Sequence, residues 1–173
     1  MSIALLSCGQ GHLPDTSTST SAETPHLDDE KGPLRSDRSP LSNFVLVTSG
    51  ESFSSSALDI PLFVEGDEPI VVDRIKLVSV AGLASPKVVS ARIDASAAVG
   101  HIVNPVTDAR NAPLLSFTVG ANGRVSANRI VQVYYHLTSS GDSFTASFAT
   151  QWVLCEKSEF TYAQCADALD VND

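Results

Sequence analysis

Between Asn43 and Cys155 the chain is one contiguous strand-forming block. Two stretches set its character. Ile70–Val80 (IVVDRIKLVSV) and Phe144–Cys155 (FTASFATQWVLC) alternate polar and apolar residues with period two over part of their length. That period fits a sheet with one face buried and the other wet. A helix-forming period is nearly missing, so the block must bury its apolar faces sheet against sheet.

Turn signals divide the block into about seven strands. They are Asn43–Thr48, Ala57–Val64, Ile70–Val80, Val88–Asp94, Leu114–Val119, Arg129–Leu137 and Ser143–Cys155. Pro61 marks an edge or a bulge in the second, because proline donates no ladder hydrogen bond. Ser49-Gly50-Glu51, Glu65–Pro69 and Ser139–Asp142 read as turns, and residues 95–112 as one long loop. Gly120-Ala121-Asn122-Gly123 reads as the tightest turn, a hairpin in which Asn122-Gly123 accepts the positive φ angles of type I′. The expected fold is all-β, a single jelly-roll-like antiparallel sandwich of seven to eight strands, spanning residues 43–155.

The ends differ in composition. Residues 1–42 are rich in Ser, Thr, Pro and acids, including the run Asp15–Ser21, and read as a disordered arm. Ser36 and Ser39 are its candidate phosphorylation positions. Residues 156–173 read as a short acidic tail, with one helical turn over Thr161–Leu169 that sets Tyr162, Cys165 and Leu169 on one face. The apolar start, Ser2–Cys8, is too short for a span and lacks the basic residues that open a secretory signal.

Charge is uneven. The net charge is −9. Residues 1–42 carry six acids and three bases, and 156–173 carry five acids and one base. Residues 70–138 instead hold seven bases against Asp73, Asp94 and Asp108. Arg74 and Lys76 are two apart on one strand and so share a face. If Ile70–Val80 and Val88–Asp94 pair, Arg74, Lys76, Arg92, Arg124 and Arg129 form a stripe able to follow a phosphate backbone.

Catalytic and cofactor chemistry is not announced. There is no phosphate loop, since Gly120–Gly123 lacks the Lys-Ser/Thr that completes one, and no Gly-x-Ser-x-Gly elbow. Asp94 and Asp108 flank the long loop, and an acid pair there is outweighed by ordinary loop aspartates. His136 reads as a structural histidine and Trp152 as a core anchor. His12, His26, His101 and His136 are scattered, with no zinc spacing. Cys8, Cys155 and Cys165 are an odd, sparse set, which reads as reduced thiols and not as a disulfide framework. The expectation is a protein that is not an enzyme and has no metal, cofactor or small-molecule substrate.

Seven strands behind a polar arm, with Asp73–Leu83 as a central strand followed by a small-residue turn and Val88–Asp94, resemble the small viral single jelly roll. Two branches of it fit. One is the thirty-kilodalton superfamily of plant-virus movement proteins, whose pattern includes a strand ending in aspartate. Ile93-Asp94 stands there, with Ser96 where that family often has arginine. Downstream, Phe117, Gly120–Gly123 and Val125-Ser126 follow the family order without its proline and aromatic, and Val131–Tyr135 and Ala146–Cys155 resemble its closing strand pair. The similarity covers residues 57–155.

The resemblance implies transport of a viral genome between cells through plasmodesmata. It implies non-specific binding of single-stranded nucleic acid, self-association, and host plasmodesmal or membrane-associated partners. It places the protein in host cytoplasm and plasmodesmata, with Asp94 and Asn122 as structural positions. The other branch is the small icosahedral capsid protein of the satellite-virus type, which implies a shell and a virion. Against it stands the arm, too acidic to neutralise packaged nucleic acid. A non-viral β-sandwich interaction module is the third reading.

Overall fold

The computed structural model describes residues 32–36, 42–48, 53–54, 58–79, 82–156, 159, 161, 163–165 and 167. Residues 1–31 of the expected arm, Ser39, the Ser49–Glu51 turn, Tyr162 and Leu169 lie outside them. The short strands are β1 (Leu34–Arg35), β3 (Phe53–Ser54), β4 (Ile60–Pro61), β5 (Phe63–Val64), β8 (Ser96–Ala97) and β9 (Ile102–Val103). The long ones are β2 (Ser42–Thr48), β6 (Ile70–Val78), β7 (Lys87–Ile93), β10 (Leu114–Gly120), β11 (Val125–Leu137) and β12 (Ser143–Glu156).

Two five-stranded sheets face each other. The first runs β2-β12-β11-β6-β9; the second runs β3-β10-β7-β8, with β4 also on β10. In a jelly roll of eight strands, one sheet takes the first, eighth, third and sixth, and the other the second, seventh, fourth and fifth. Here β3, β6, β7, β8, β9, β10 and β11 fill the second to eighth places in order. The departure is at the first place. β12 folds back as a hairpin on β11 and occupies it, and β2 is displaced to the outside, parallel to β12. The sandwich is thus all-β and jelly-roll-like, and among the described strands every pair except β2–β12 is antiparallel; an isolated parallel bridge also joins Ala84 and Ser126.

The core lies between the sheets. Val131, Val133 and Tyr135 of β11 and Ala146, Phe148, Trp152 and Leu154 of β12 face Ile93 of β7 and Leu115, Phe117 and Val119 of β10. Removing each large side chain from water favours folding by about 1.5–3 kcal/mol. Trp152 is fully buried and meets Phe117 edge-on across the sandwich, centroids 5.2 Å apart.

A bulge decides which face of β6 is polar. Val72 is buried, so strict alternation would carry Arg74 and Lys76 into the core with it. Between Tyr134 and Tyr135 the register shifts, so that Asp73 is an extra residue in β6. Ile75 and Leu77 then turn inward against the core while Arg74 and Lys76 stay exposed.

Four expectations are corrected. First, residues 32–36, inside the presumed arm, belong to the fold. Leu34 is fully buried, β1 pairs β5, the Glu65 amide donates to the Pro33 carbonyl (2.8 Å), and the Leu34 amide donates to the Tyr135 hydroxyl (3.3 Å). A Cβ on Gly32 would overlap that hydroxyl. Gly32→Ala is therefore expected to cost about 1–3 kcal/mol as an overpacked site; an unchanged urea midpoint would show that the segment does not dock.

Second, Gly120–Gly123 is not a hairpin. β10 and β11 lie in different sheets, so this segment is a crossover. Its positive φ is confined to Gly123 (+88°). Third, residues 95–112 are not one loop but hold β8, β9 and a 3-10 turn at Ala109–Asn111. The two-residue turn of the fold is Asp94-Ala95, which joins Ile93 to Ser96 with φ of +48° and +68°. Type I′ geometry there favours Asp-Gly. Ala95→Gly is expected to stabilise the fold by about 1 kcal/mol, measured as a raised denaturant midpoint.

Fourth, Cys155 and Cys165 form a disulfide, both sulfurs buried against Ala127 and Val153. It ties the tail to β12. The tail's helical turn, residues 163–165, opens on a capping box in which the Thr161 amide donates to Gln164 Oε1 (3.0 Å) and the Gln164 amide to Thr161 Oγ1 (3.4 Å).

Candidate functional site

The bulge at Asp73 builds one polar face on the outside of the first sheet. Arg74 lies over the Tyr134 ring, 4.0 Å from its centroid. The Tyr134 hydroxyl donates to Gln132 Oε1 (3.1 Å), and Gln132 is directly opposite Lys76. His136 Nδ1 and Asp73 Oδ1 are 2.8 Å apart at its end. A cation–π contact of this kind is worth about 0.5–1 kcal/mol at an exposed site. Arg74 and Lys76 are thus brought together, as their spacing implied. Tyr134 and Gln132 were not foreseen, although their two-residue spacing in a strand places them on the same face.

The rest of the stripe is not assembled. β6 and β7 do not pair, because they belong to different sheets. Arg92 consequently lies on the second sheet, opposite Ser116 and Ala97. Arg124, on the crossover, is ion-paired with Glu159 of the tail. Arg129 is exposed near the start of β11, beside the register shift between Asn128 and Ile130.

The two structural candidates have other duties than expected. Asp94 opens the tight turn, with φ of +48°. Asn122 clips the two crossovers together: its Nδ2 donates to the Ser85 carbonyl (3.2 Å) and its amide to Ser126 Oγ (3.3 Å). The Ala127 amide donates to the Ala84 carbonyl beside it (2.9 Å).

Asp94 and Asp108 do not form a proton-sharing pair. Asp108 caps the 3-10 turn, accepting from the Arg110 amide (2.9 Å), and holds the Arg110 guanidinium at 2.7–3.1 Å through both oxygens. The Arg110 side chain, then its amide, pulls the Asp108 carboxyl below its ordinary range, and Asp108 raises Arg110 in return. A carboxyl held ionised in this way has no proton to donate at neutral pH. Beside it is an open cleft of about 570 Å³, lined by Asp94, His101, Ile102, Arg110, Leu114 and Ser116 among others. Among the described residues no group of three or more His, Cys, Asp and Glu side chains is placed to hold a metal ion. No described helix is long and apolar enough to cross a membrane.

Comparison with known proteins returns no matching family model, no matching curated protein and no matching solved structure.

Proposed function

We propose that this protein is a non-catalytic, self-associating jelly-roll subunit of the viral coat-protein type, which assembles into a closed shell. The observation that carries the reading is the strand order, seven of eight jelly-roll places filled in sequence order. Two features of the molecule support it over genome transport. The cations that a transport protein would line up on nucleic acid are split between two sheets and a tail-paired crossover. The Cys155–Cys165 bond suits an oxidising environment, which a released particle meets and the cytosol is not.

The movement-protein reading stands second, and the Arg74–Tyr134–Gln132–Lys76 face favours it. Negative-stain electron microscopy of the purified protein, with single-stranded RNA titrated at several salt concentrations, separates the two. Uniform closed shells support the coat reading. No particles, with RNA affinity that falls with salt and is abolished by the R74A/K76A double variant, would overturn it in favour of transport. For single strands the slope of log affinity against log salt is about −1.4 if Arg74 and Lys76 alone contact phosphate, and about −3.5 if all five cations do.

A further inference from the structure

The tail and the cations meet on the outer face of the first sheet. Trp152 and Leu154 of β12 point into the core, so Val153 and Cys155, which alternate with them, point outward, as does Ala127 opposite Val153. Cys165 of the tail is fully buried on this outer patch, and Glu159 of the tail is ion-paired with Arg124 at its end. Arg129 follows Ala127 by two on β11 and is exposed on the same side. Lys76 and Arg74 come next, opposite Gln132 and Tyr134. From position 124 to position 134 the line is roughly 33 Å long. Uncharged hydrogen-bonding side chains fill the rows between, with Ser147 beside Gln132 and Thr145 beside Tyr134. Of the five cations only Arg92 lies on the other sheet. Asp73, at the far end, is held by His136. The tail at the near end carries five acids against one base over residues 156–173. It is an intramolecular stand-in for a polyanion.

We propose that the tail gates this face: latched by the Cys155–Cys165 bond, it holds Arg124 through Glu159 and keeps the phosphates of single-stranded nucleic acid from the end of the cation line until a thiol reduces the bond. The step is thiol–disulfide exchange. One thiolate attacks a sulfur of the bond to give a mixed disulfide, and a second thiol releases it. Cys155 and Cys165 gain two electrons and two protons, and the two thiols leave joined as a disulfide. The reductant is a thiol of the kind the cytosol supplies. Both sulfurs are buried, so the turn at 163–165 must lift before exchange, and the latch opens slowly. An exposed ion pair holds weakly by itself, so phosphate then displaces Glu159. The gate rests on nucleic-acid contact by the Arg74–Lys76 face and is independent of shell assembly.

Fluorescence anisotropy with an unstructured single-stranded RNA, on the full chain before and after dithiothreitol and below the melting range of the reduced form, reads the gate. Reduced wild type should bind at least about fivefold more tightly than oxidised. Its slope of log affinity against log salt should be steeper by about 0.7, for one added phosphate contact. Cys165→Ser should bind like reduced wild type and ignore the reductant. Glu159→Gln keeps the bond, so its oxidised form should already bind more tightly than oxidised wild type; no gain there means that Glu159 does not guard Arg124, and the gate falls. Arg124→Ala should remove most of the response to reductant, and a response that survives it intact overturns the gate. So does equal affinity of oxidised and reduced wild type. If that equal affinity is lost in the R74A/K76A variant, the face stands without its gate. No binding in either form removes both.

Discussion

Replacing Trp152 with alanine is expected to cost about 3–5 kcal/mol of folding stability, among the largest effects of any single substitution in this chain. The reason is position as much as size. Trp152 is fully buried on β12, and its ring meets Phe117 of β10 at 64°, joining the two sheets through an edge-to-face contact. Leu154, Phe148 and Leu115 belong to the same buried cluster, and a backbone held in long ladders has little room to collapse into the space left behind. Domains of this size have about 5–15 kcal/mol in total, so the variant should be largely unfolded at temperatures the wild type tolerates. The measurement is a urea titration followed by circular dichroism. The midpoint should fall steeply with little change in slope, since the surface exposed on unfolding hardly alters. A double-mutant cycle with Phe117→Leu should return a coupling of about 0.5–1.5 kcal/mol for the ring pair. A cost below about 1 kcal/mol would mean that Trp152 does not stand between the sheets.

What could be read from the chain is what repeats locally. β6, β7, β10 and β12 lie within two residues of the bounds expected from sequence, because runs rich in β-branched and aromatic residues, alternating over part of their length and closed by turn residues, read as strands. The strands that escaped notice, β1, β3, β8 and β9, have two residues each, too few for any period to show. Asp94-Ala95 gave no turn signal because alanine is a poor residue for positive φ, whereas Asn122-Gly123 gave a strong one that proved ambiguous. A glycine at φ +88° serves a crossover between sheets as readily as a hairpin within one.

The candidate site was half legible for the same reason. Arg74 and Lys76 are two apart, and adjacency in a strand survives folding. Which strand lies beside β6 is a non-local question. The pairing imagined for Arg92 failed because β6 and β7 are successive strands of opposite sheets, the usual course of a jelly-roll chain. The bulge that keeps Arg74 out of the core has no signature in Val72-Asp73-Arg74 itself. It follows from the need to bury Ile75 and Leu77 on a strand that already buries Val72.

The disulfide is the correction with the largest energetic consequence. Cys155 is the penultimate residue of β12 and Cys165 sits in the tail, ten residues on, so the bond closes a short loop. On the chain-entropy account a loop of this length is worth a little under 3 kcal/mol. Cys165→Ser is therefore expected to lower Tm by roughly 5–10 °C in a chain of this size. Two further contacts should go with it. Glu159 lies within the closed loop, so its pairing with Arg124 loosens, and Ala127 and Val153 lose the cover that the cystine provides. The decisive comparison uses a reductant. Wild type treated with it should melt at the temperature of the variant, more slowly than an exposed bond would respond because both sulfurs are buried, and Cys165→Ser itself should not respond at all. Wild type whose melting is indifferent to reductant would show that the thiols are free in solution. That outcome would also withdraw the support that an oxidising environment lends to the coat-protein reading, and the Arg74–Tyr134 face would then become the first surface to test.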